Sequence, residues 1–286
     1  MDRTIDVTRL EQLLHRRLQT PGEGVVRGVY RHSVNVETQG LFFTVLHPTP
    51  DSGPACAILA EGADFSALGV SPGQAVRWER GVLETDGLRL AFAGAKVCDC
   101  RFGARALPLP NPAAAACRLK ALLAPAAQKN AARWGEELRE ALELRAGGVC
   151  AALEQRADPA EAVRRLVGFG PGLTPSGDDI LTGLYAALRV LGGGAAELEG
   201  LEEALAACAG RTTRVGGWML TCALDGRWRA SLQAVLAACA DPALTDLPSA
   251  VDSLLAVGAS SGYDMCSGVY RALCLVSRLN RSEDNG

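Results

Sequence analysis

The chain changes character near residue 105, and this limits its fold more than any other feature. Before it lie short β-like runs at 24–30, 34–38, 41–46, 55–60, 75–78, 81–84, 88–93 and 95–98. Turn signals at Pro54, Pro72-Gly73 and Asp86-Gly87 space them as in a small barrel or sandwich. Residues 4–17 read as a helix leading in. A Pro-rich hinge follows, Leu107-Pro108-Leu109-Pro110-Asn111-Pro112. Beyond it, Ala-rich periodic segments predict helices at about 113–128, 130–156, 159–167, 177–191, 197–209, 212–224, 228–239, 247–256 and 262–279. Asp158-Pro159-Ala160-Glu161 is a helix start, with Asp as N-cap, Pro at N1 and Glu at N3. Strands followed by helices define an α+β class. The expected organisation is a β-rich, barrel- or sandwich-like domain over 1–106 and a mostly α-helical, ligand-binding domain over 107–286.

Composition excludes several function classes. A formal charge of −3 argues against a broad nucleic-acid footprint, which needs a basic surplus. The start, MDRTIDVTRLEQLL, lacks the apolar core of a signal peptide, so export is not expected. No uncharged apolar run approaches the roughly 20 residues of a membrane span. The ten cysteines are scattered, most of them in Ala/Leu-rich helical patterns where a thiol behaves as a small hydrophobe. Cys98-Asp99-Cys100 is the one close pair, and no second pair or nearby His completes a metal site. Structural thiols and a cytoplasmic home are the expectation.

The segment 168–183, GFGPGLTPSGDDILTG, carries the densest chemical signal. It holds five glycines, two prolines and the adjacent pair Asp178-Asp179. Glycines at Gly170, Gly172 and Gly177 allow positive φ and close backbone approach to a ligand. Thr174 or Ser176 can cap the helix that follows, and free N–H groups at such a helix start favour anions. The pattern is not a P-loop, because no Gly-Lys-Ser/Thr follows the glycines. A capping role for Asp178 or Asp179 needs no ligand at all. Capping does not, however, require so many glycines.

The segment has an internal echo. Ser176-Gly-Asp-Asp-Ile-Leu-Thr-Gly-Leu-Tyr-Ala-Ala-Leu188 aligns with Ser261-Gly-Tyr-Asp-Met-Cys-Ser-Gly-Val-Tyr-Arg-Ala-Leu273, identical at seven of thirteen positions. Each copy is a turn entering a helix, with Asp179 or Asp264 followed four residues later by Gly183 or Gly268 on the same face. Two pseudo-equivalent helices packed through those glycines would bring Asp179 and Asp264 face to face across a shared pocket, with Ser260, Ser261 and Gly262 lining it. A duplicated helix pair with a purely structural role fits the same pattern. Between the copies, Gly210-Arg211-Thr212-Thr213-Arg214 offers Arg211, Thr213 and Arg214 to a phosphate or carboxylate. His32 is a further polar candidate from the β-rich part, whereas His15 and His47 show no sequence partner. No HExxH or Ser/His/Asp order is present.

These residues together resemble a known family. Gly168-Phe-Gly-Pro-Gly-Leu-Thr-Pro-Ser-Gly-Asp-Asp179, then Arg211-Thr-Thr-Arg214, then Gly258-Ala-Ser-Ser-Gly-Tyr-Asp264 look like the family of the oxamate carbamoyltransferase subunit AllH, in matching order from about residue 30 to 275. The sequence departs from that pattern at Gly258-Ala259-Ser260, where the family is expected to carry a Gly-His-Thr type, and at Gly216-Gly217, where a Ser is common. Ala259 thus removes one acid/base candidate. The resemblance implies a subunit of a multi-protein carbamoyltransferase in purine–allantoin nitrogen catabolism, acting with partner subunits on carbamoyl phosphate and an amide such as oxamate.

On this reading Gly170, Gly172, Thr174, Ser176 and Gly177 approach anionic oxygens and Arg211 and Arg214 neutralise charge. Asp179 and Asp264, with Asp178 beside them, orient the carbamoyl NH₂ or act as base. Two alternatives stay open. One is a Mg²⁺-dependent hydrolase of a phosphorylated or ribosylated metabolite, using Asp178, Asp179 and Asp264 as oxygen ligands. The other is a non-catalytic scaffold subunit. No metal or cofactor is otherwise expected.

Overall fold

The structure is a computed structural model that describes residues 4–102, 107–192 and 195–283, the side chains at 195–197 and 282–283 excepted. Its contacts divide the chain into two units, Met1–Cys100 and Arg101–Gly286. The domain boundary expected at 106 falls within 103–106, outside the described residues.

The first unit is an eight-stranded barrel. Its strands are β1 (Thr4–Glu11), β2 (Gly22–Tyr30), β3 (Ser33–Thr38), β4 (Leu41–Leu46), β5 (Cys56–Leu59), β6 (Ala75–Glu79), β7 (Val82–Thr85) and β8 (Leu88–Ala91). They run in the order β5-β4-β3-β2-β6-β7-β8-β1, and β1 pairs back onto β5, which closes the sheet and removes its open edges. A short β9 (Lys96–Cys98) continues beside β1, from Arg9↔Lys96 to Glu11↔Cys98, after β8 has ended at Asp6↔Ala91. Inside, Leu10, Val26, Val36, Phe43, Ile58 and Trp78 are buried, and the Trp78 indole donates to Thr20 O at 2.8 Å.

The helix expected over 4–17 is corrected here: Thr4–Glu11 is a strand and only Gln12–Leu18 is helical (α1). The β-branched Thr4, Ile5, Val7 and Thr8, with Ile5 and Val7 alternately buried, favour a pleated ladder. The switch is made at Glu11. Its buried carboxylate accepts Leu13 N at 2.8 Å, capping α1, and Ala55 N at 3.0 Å, fixing the turn into β5.

The second unit is helical: α2 (Pro112–Trp134), α3 (Glu136–Glu154), α4 (Ala160–Leu166), α5 (Ser176–Leu191), α6 (Ala195–Cys208), α7 (Arg214–Leu224), α8 (Ala230–Ala240), α9 (Leu247–Leu255) and α10 (Ser261–Glu283). Local chemistry sets the starts. Asn111 accepts Ala114 N at 2.9 Å with Pro112 at the first position of α2, and Asp158 accepts Ala160 N at 2.9 Å before α4. Every residue of α5 except Arg189 is buried, so α5 is the axis of this unit. Helix α10 packs against it through glycines. A Cβ on Gly183 would run into the Met265 carbonyl, and one on Gly268 into the Ile180 carbonyl. The two contacts are equivalent under the sequence repeat. Gly177 and Gly262 form a second equivalent pair, pressed against the Leu166 carbonyl at the end of α4 and the Leu254 carbonyl near the end of α9. The repeat is therefore a helix–loop–helix unit present twice, α4–α5 and α9–α10. Among the described residues no helix is long and apolar enough to cross a membrane.

Candidate functional site

The two copies meet at their helix starts. Thr174, just before α5, lies 3.0 Å from Ser261, the first residue of α10, hydroxyl to hydroxyl. The Asp179 carboxyl has the Ser261 and Thr174 hydroxyls beside it; the Asp264 carboxyl has those of Ser176 and Ser260. Each aspartate is thus attended by the serine that starts the other copy's helix. The arrangement follows from sequence. Neither Thr174 nor Ser176 caps α5, whose N-cap is Pro175 without a side-chain bond, so the hydroxyls are left for the aspartates; each aspartate comes one turn into its helix, and the glycine four residues later lets the partner helix close enough for the exchange.

Burial and like charge shape the electrostatics. Asp179 is 6% exposed and Asp264 4% exposed, and one carboxylate oxygen of each, Oδ2, is buried without a hydrogen-bond partner. Burial raises the Asp179 pKa well above the usual carboxylate range and the negative charge of Asp264 raises it further, against the neighbouring hydroxyls and the positive charge of Arg229. Burial also raises Asp264, to about 6, with Ser176 and Ser260 opposing. Two carboxyls so placed ionise less readily than exposed ones, and the charge on Asp264 favours the protonated form of Asp179.

A cavity of about 40 Å³ adjoins Asp264. Ser176, Ser260 and Asp264 line one side, and Asn130, Trp134 and Arg139 from the α2–α3 corner line the other. It has room for about two or three water molecules or a planar group of similar size. The corner turns at Gly135, whose φ of +87° suits glycine. Asn130, Trp134 and Arg139 belong to no motif, and sequence reasoning missed them. Tyr263, which also lines the cavity, sat inside the aligned echo between Gly262 and Asp264 and was visible in that sense. A larger cleft of about 500 Å³, lined by Arg156, Asp158 and Glu203 among others, contains neither aspartate of the pair.

The remaining sequence candidates are placed as follows. Asp178 points away from Asp179, accepting Gly168 N at 2.7 Å and the Thr212 hydroxyl at 2.5 Å; burial raises its pKa and these two bonds oppose the rise. The Gly177 amide donates to Phe169 O at 2.8 Å and the Gly262 amide to Val257 O at 3.1 Å, so both are spent within their loops. Gly170 takes φ +113°, with its α-carbon so near Ser176 that an added Cβ would lie 2.9 Å from Ser176 N. Gly172 is exposed. The Thr213 hydroxyl caps α7, accepting Gly216 N at 2.9 Å, and donates to Leu173 O. Thr212 and Thr213 thereby tie the Arg-Thr-Thr-Arg turn to the glycine loop, while Arg211 and Arg214 are exposed. His32 packs edge-on to His47 in the barrel unit, 4.7 Å between ring centroids. Among the described residues no group of three or more His, Cys, Asp or Glu side chains is arranged to hold a metal ion.

Two family models match the chain. Residues 166–273, which contain both repeat helices and both aspartates, match the model described as oxamate carbamoyltransferase subunit AllH. Residues 3–97, the barrel, match the AllH family N-terminal domain. Together they span most of the sequence, and the chain belongs to the AllH family, a family named for a carbamoyltransferase subunit. No solved structure matches it.

Proposed function

We propose that this chain is a subunit of a carbamoyltransferase and that the Asp179–Asp264 pair is its proton-handling centre. The observation that carries the reading is the pair itself: two buried, repeat-related carboxyls, each with an unpartnered oxygen, one of them, Asp264, lining a small and mostly apolar cavity. An amide nitrogen attacks a carbamoyl carbon poorly unless its proton is taken. A carboxylate whose pKa is raised toward neutrality is a stronger base than an exposed one and is still ionised in part at pH 7. In the proposed step the amide nitrogen of an oxamate-like substrate bonds to the carbamoyl carbon, the bond from that carbon to the phosphate oxygen breaks, and the amide proton passes to Asp264. Asp179, protonated, donates a hydrogen bond to the carbonyl oxygen on which charge builds.

Anion recognition falls to the exposed Arg211 and Arg214 and to the loop around Gly170 and Gly172, with Thr174, Ser176, Ser260 and Ser261 orienting the carboxyls. The family name is that of a subunit, which supports partner chains in the working assembly. Placement in purine–allantoin nitrogen breakdown rests on the resemblance alone. The test is a transfer assay with carbamoyl phosphate and oxamate, run on the chain alone and with its co-encoded neighbours. Turnover that depends on this chain supports the reading; full turnover by the neighbours without it removes the chain from the chemistry.

A further inference from the structure

The helical unit carries two surface helices of opposite sign. Helix α2 has four cations, Arg118, Lys120, Lys129 and Arg133, and no acidic residue. Helix α6 has four glutamates, Glu197, Glu199, Glu202 and Glu203, and no basic residue. Their neighbours differ: α2 packs on α10, α9 and α3, and α6 on α4, α5 and α7. Among the described residues Arg118, Lys120 and Lys129 have no acidic partner and Glu199 and Glu203 no basic one, while Glu202 is held by Arg189. A solvent-facing helix ordinarily mixes its signs, because opposite charges three or four residues apart stabilise it. Helices α3 and α4 do so, pairing Arg139 with Glu136 and Arg164 and Arg165 with Glu161.

The shapes of the two faces correspond. At about 3.6 residues per turn, exposed Ala114, Cys117, Ala121, Ala124 and Ala132 share one face of α2, roughly 27 Å long. Arg118 and Lys129 flank it on one side and Lys120 on the other. Side chains this small let another helix approach closely. On α6, Glu199, Glu203, Ala206 and Ala207 are exposed on one face, with half-buried Gly200 beside them. Gly200, Glu203 and Ala207 open onto the cleft of about 500 Å³, whose other wall is the turn between α3 and α4. A second α2 does not suit the α2 face, because the flanking charges would repel.

We propose that this chain associates with a second copy of itself head to tail, the basic face of α2 on one copy seating against the acidic face of α6 on the next. Glu199 and Glu203, one turn apart, then meet the cations that flank the alanines. The two faces differ, so the contact is heterologous: it closes as a ring or runs on as a chain. A contact one helix wide falls short of the ~1,200–2,000 Å² of a standard interface, so the association is reversible and weakened by salt. It is independent of the chemistry at the aspartate pair.

The test is sedimentation velocity on the full-length chain at up to about 0.1 mM, with alkylation of Cys117 followed in parallel. Cys117 is the one exposed cysteine and lies in the α2 face. The sedimentation coefficient should rise with concentration and return to that of a monomer in about 0.5 M salt, and Cys117 should become slower to alkylate as the assembly grows. Lys120→Glu with Lys129→Glu spoils the α2 face; Glu199→Lys with Glu203→Lys spoils the α6 face. Each double variant alone should stay monomeric. An equal mixture should form a dimer, because the first keeps a working α6 and the second a working α2. A chain that stays monomeric throughout, or assembles only when a co-encoded subunit is added, overturns the proposal. Assembly that leaves Cys117 as open as in the monomer overturns it too, and so does a mixture of folded variants that fails to pair. The wild-type series decides the matter even where a variant does not fold.

Discussion

Asp179 and Asp264 occupy equivalent positions of two helix–loop–helix repeats, and each stands beside the serine that starts the other repeat's helix. A pair built this way cannot ionise twice at low cost. Both carboxyls are removed from water, both have an orphaned oxygen, and each charge opposes the other.

The first expected outcome concerns the proton. In a carboxyl-carbon NMR titration of the chain, one buried aspartate should titrate near pH 6 and a second well above the usual carboxylate range. Asp264→Asn removes the like charge, so the Asp179 transition should move down. Two ordinary titrations near pH 4 would show that no proton is shared.

Stability should follow pH in a direction opposite to that of a salt-bridged carboxylate. The folded pKa of Asp264, about 6, exceeds its ordinary value of 3.8, so between these values the folded chain binds more protons than the unfolded one. The stabilisation is complete below about pH 4 and is lost as pH rises through 6 for Asp264; Asp179, raised in the same direction, adds to the loss. Asp264→Asn should therefore gain on wild type as pH rises, by on the order of 2 kcal/mol at pH 8, read as Tm against pH. A constant Tm difference from pH 4 to 8 would contradict the assignment.

Glycine substitutions separate packing from propensity. Gly183→Ala and Gly268→Ala place a methyl against a backbone carbonyl and should each cost about 1–3 kcal/mol. Gly148→Ala, exposed on α3 with nothing within 4 Å of the added carbon, should instead stabilise by about 0.5–1 kcal/mol. Chemical denaturation midpoints give both signs. A stable Gly183→Ala chain would undo the crossing of α5 and α10.

Thr212 tests the division of labour between the adjacent aspartates. Thr212→Val removes the hydroxyl that donates to Asp178 and should cost about 1–3 kcal/mol while leaving the Asp179–Asp264 titration in place. A shift in that titration would tie Asp178 to the pair.

Much of this was legible in the sequence, for physical reasons. Period-2 runs and turn residues marked the strands from β2 onward, and Ala-rich periodicity marked the helices. The echo around Asp179 and Asp264 gave the helix pair because close crossings need glycine at fixed places. Residues 4–17 misled, because the apolar spacing of α1 extends into a strand whose β-branched residues argue the other way. Asp178 and Asp179 were indistinguishable, since neighbours on a helix differ only in the direction they face, and tertiary partners decide that. Asn130, Trp134 and Arg139 reach the cavity from a distant corner whose placement no local pattern encodes.

The central claim is that the aspartate pair is where the chemistry happens, and one rate tests it most directly. Carbamoyl transfer should be measured at saturating substrate with the assembly carrying Asp264→Asn, once circular dichroism shows the variant folded. Loss of the proton acceptor should lower kcat by about 10²–10⁴-fold. A folded variant that turns over at the wild-type rate would place the chemistry elsewhere.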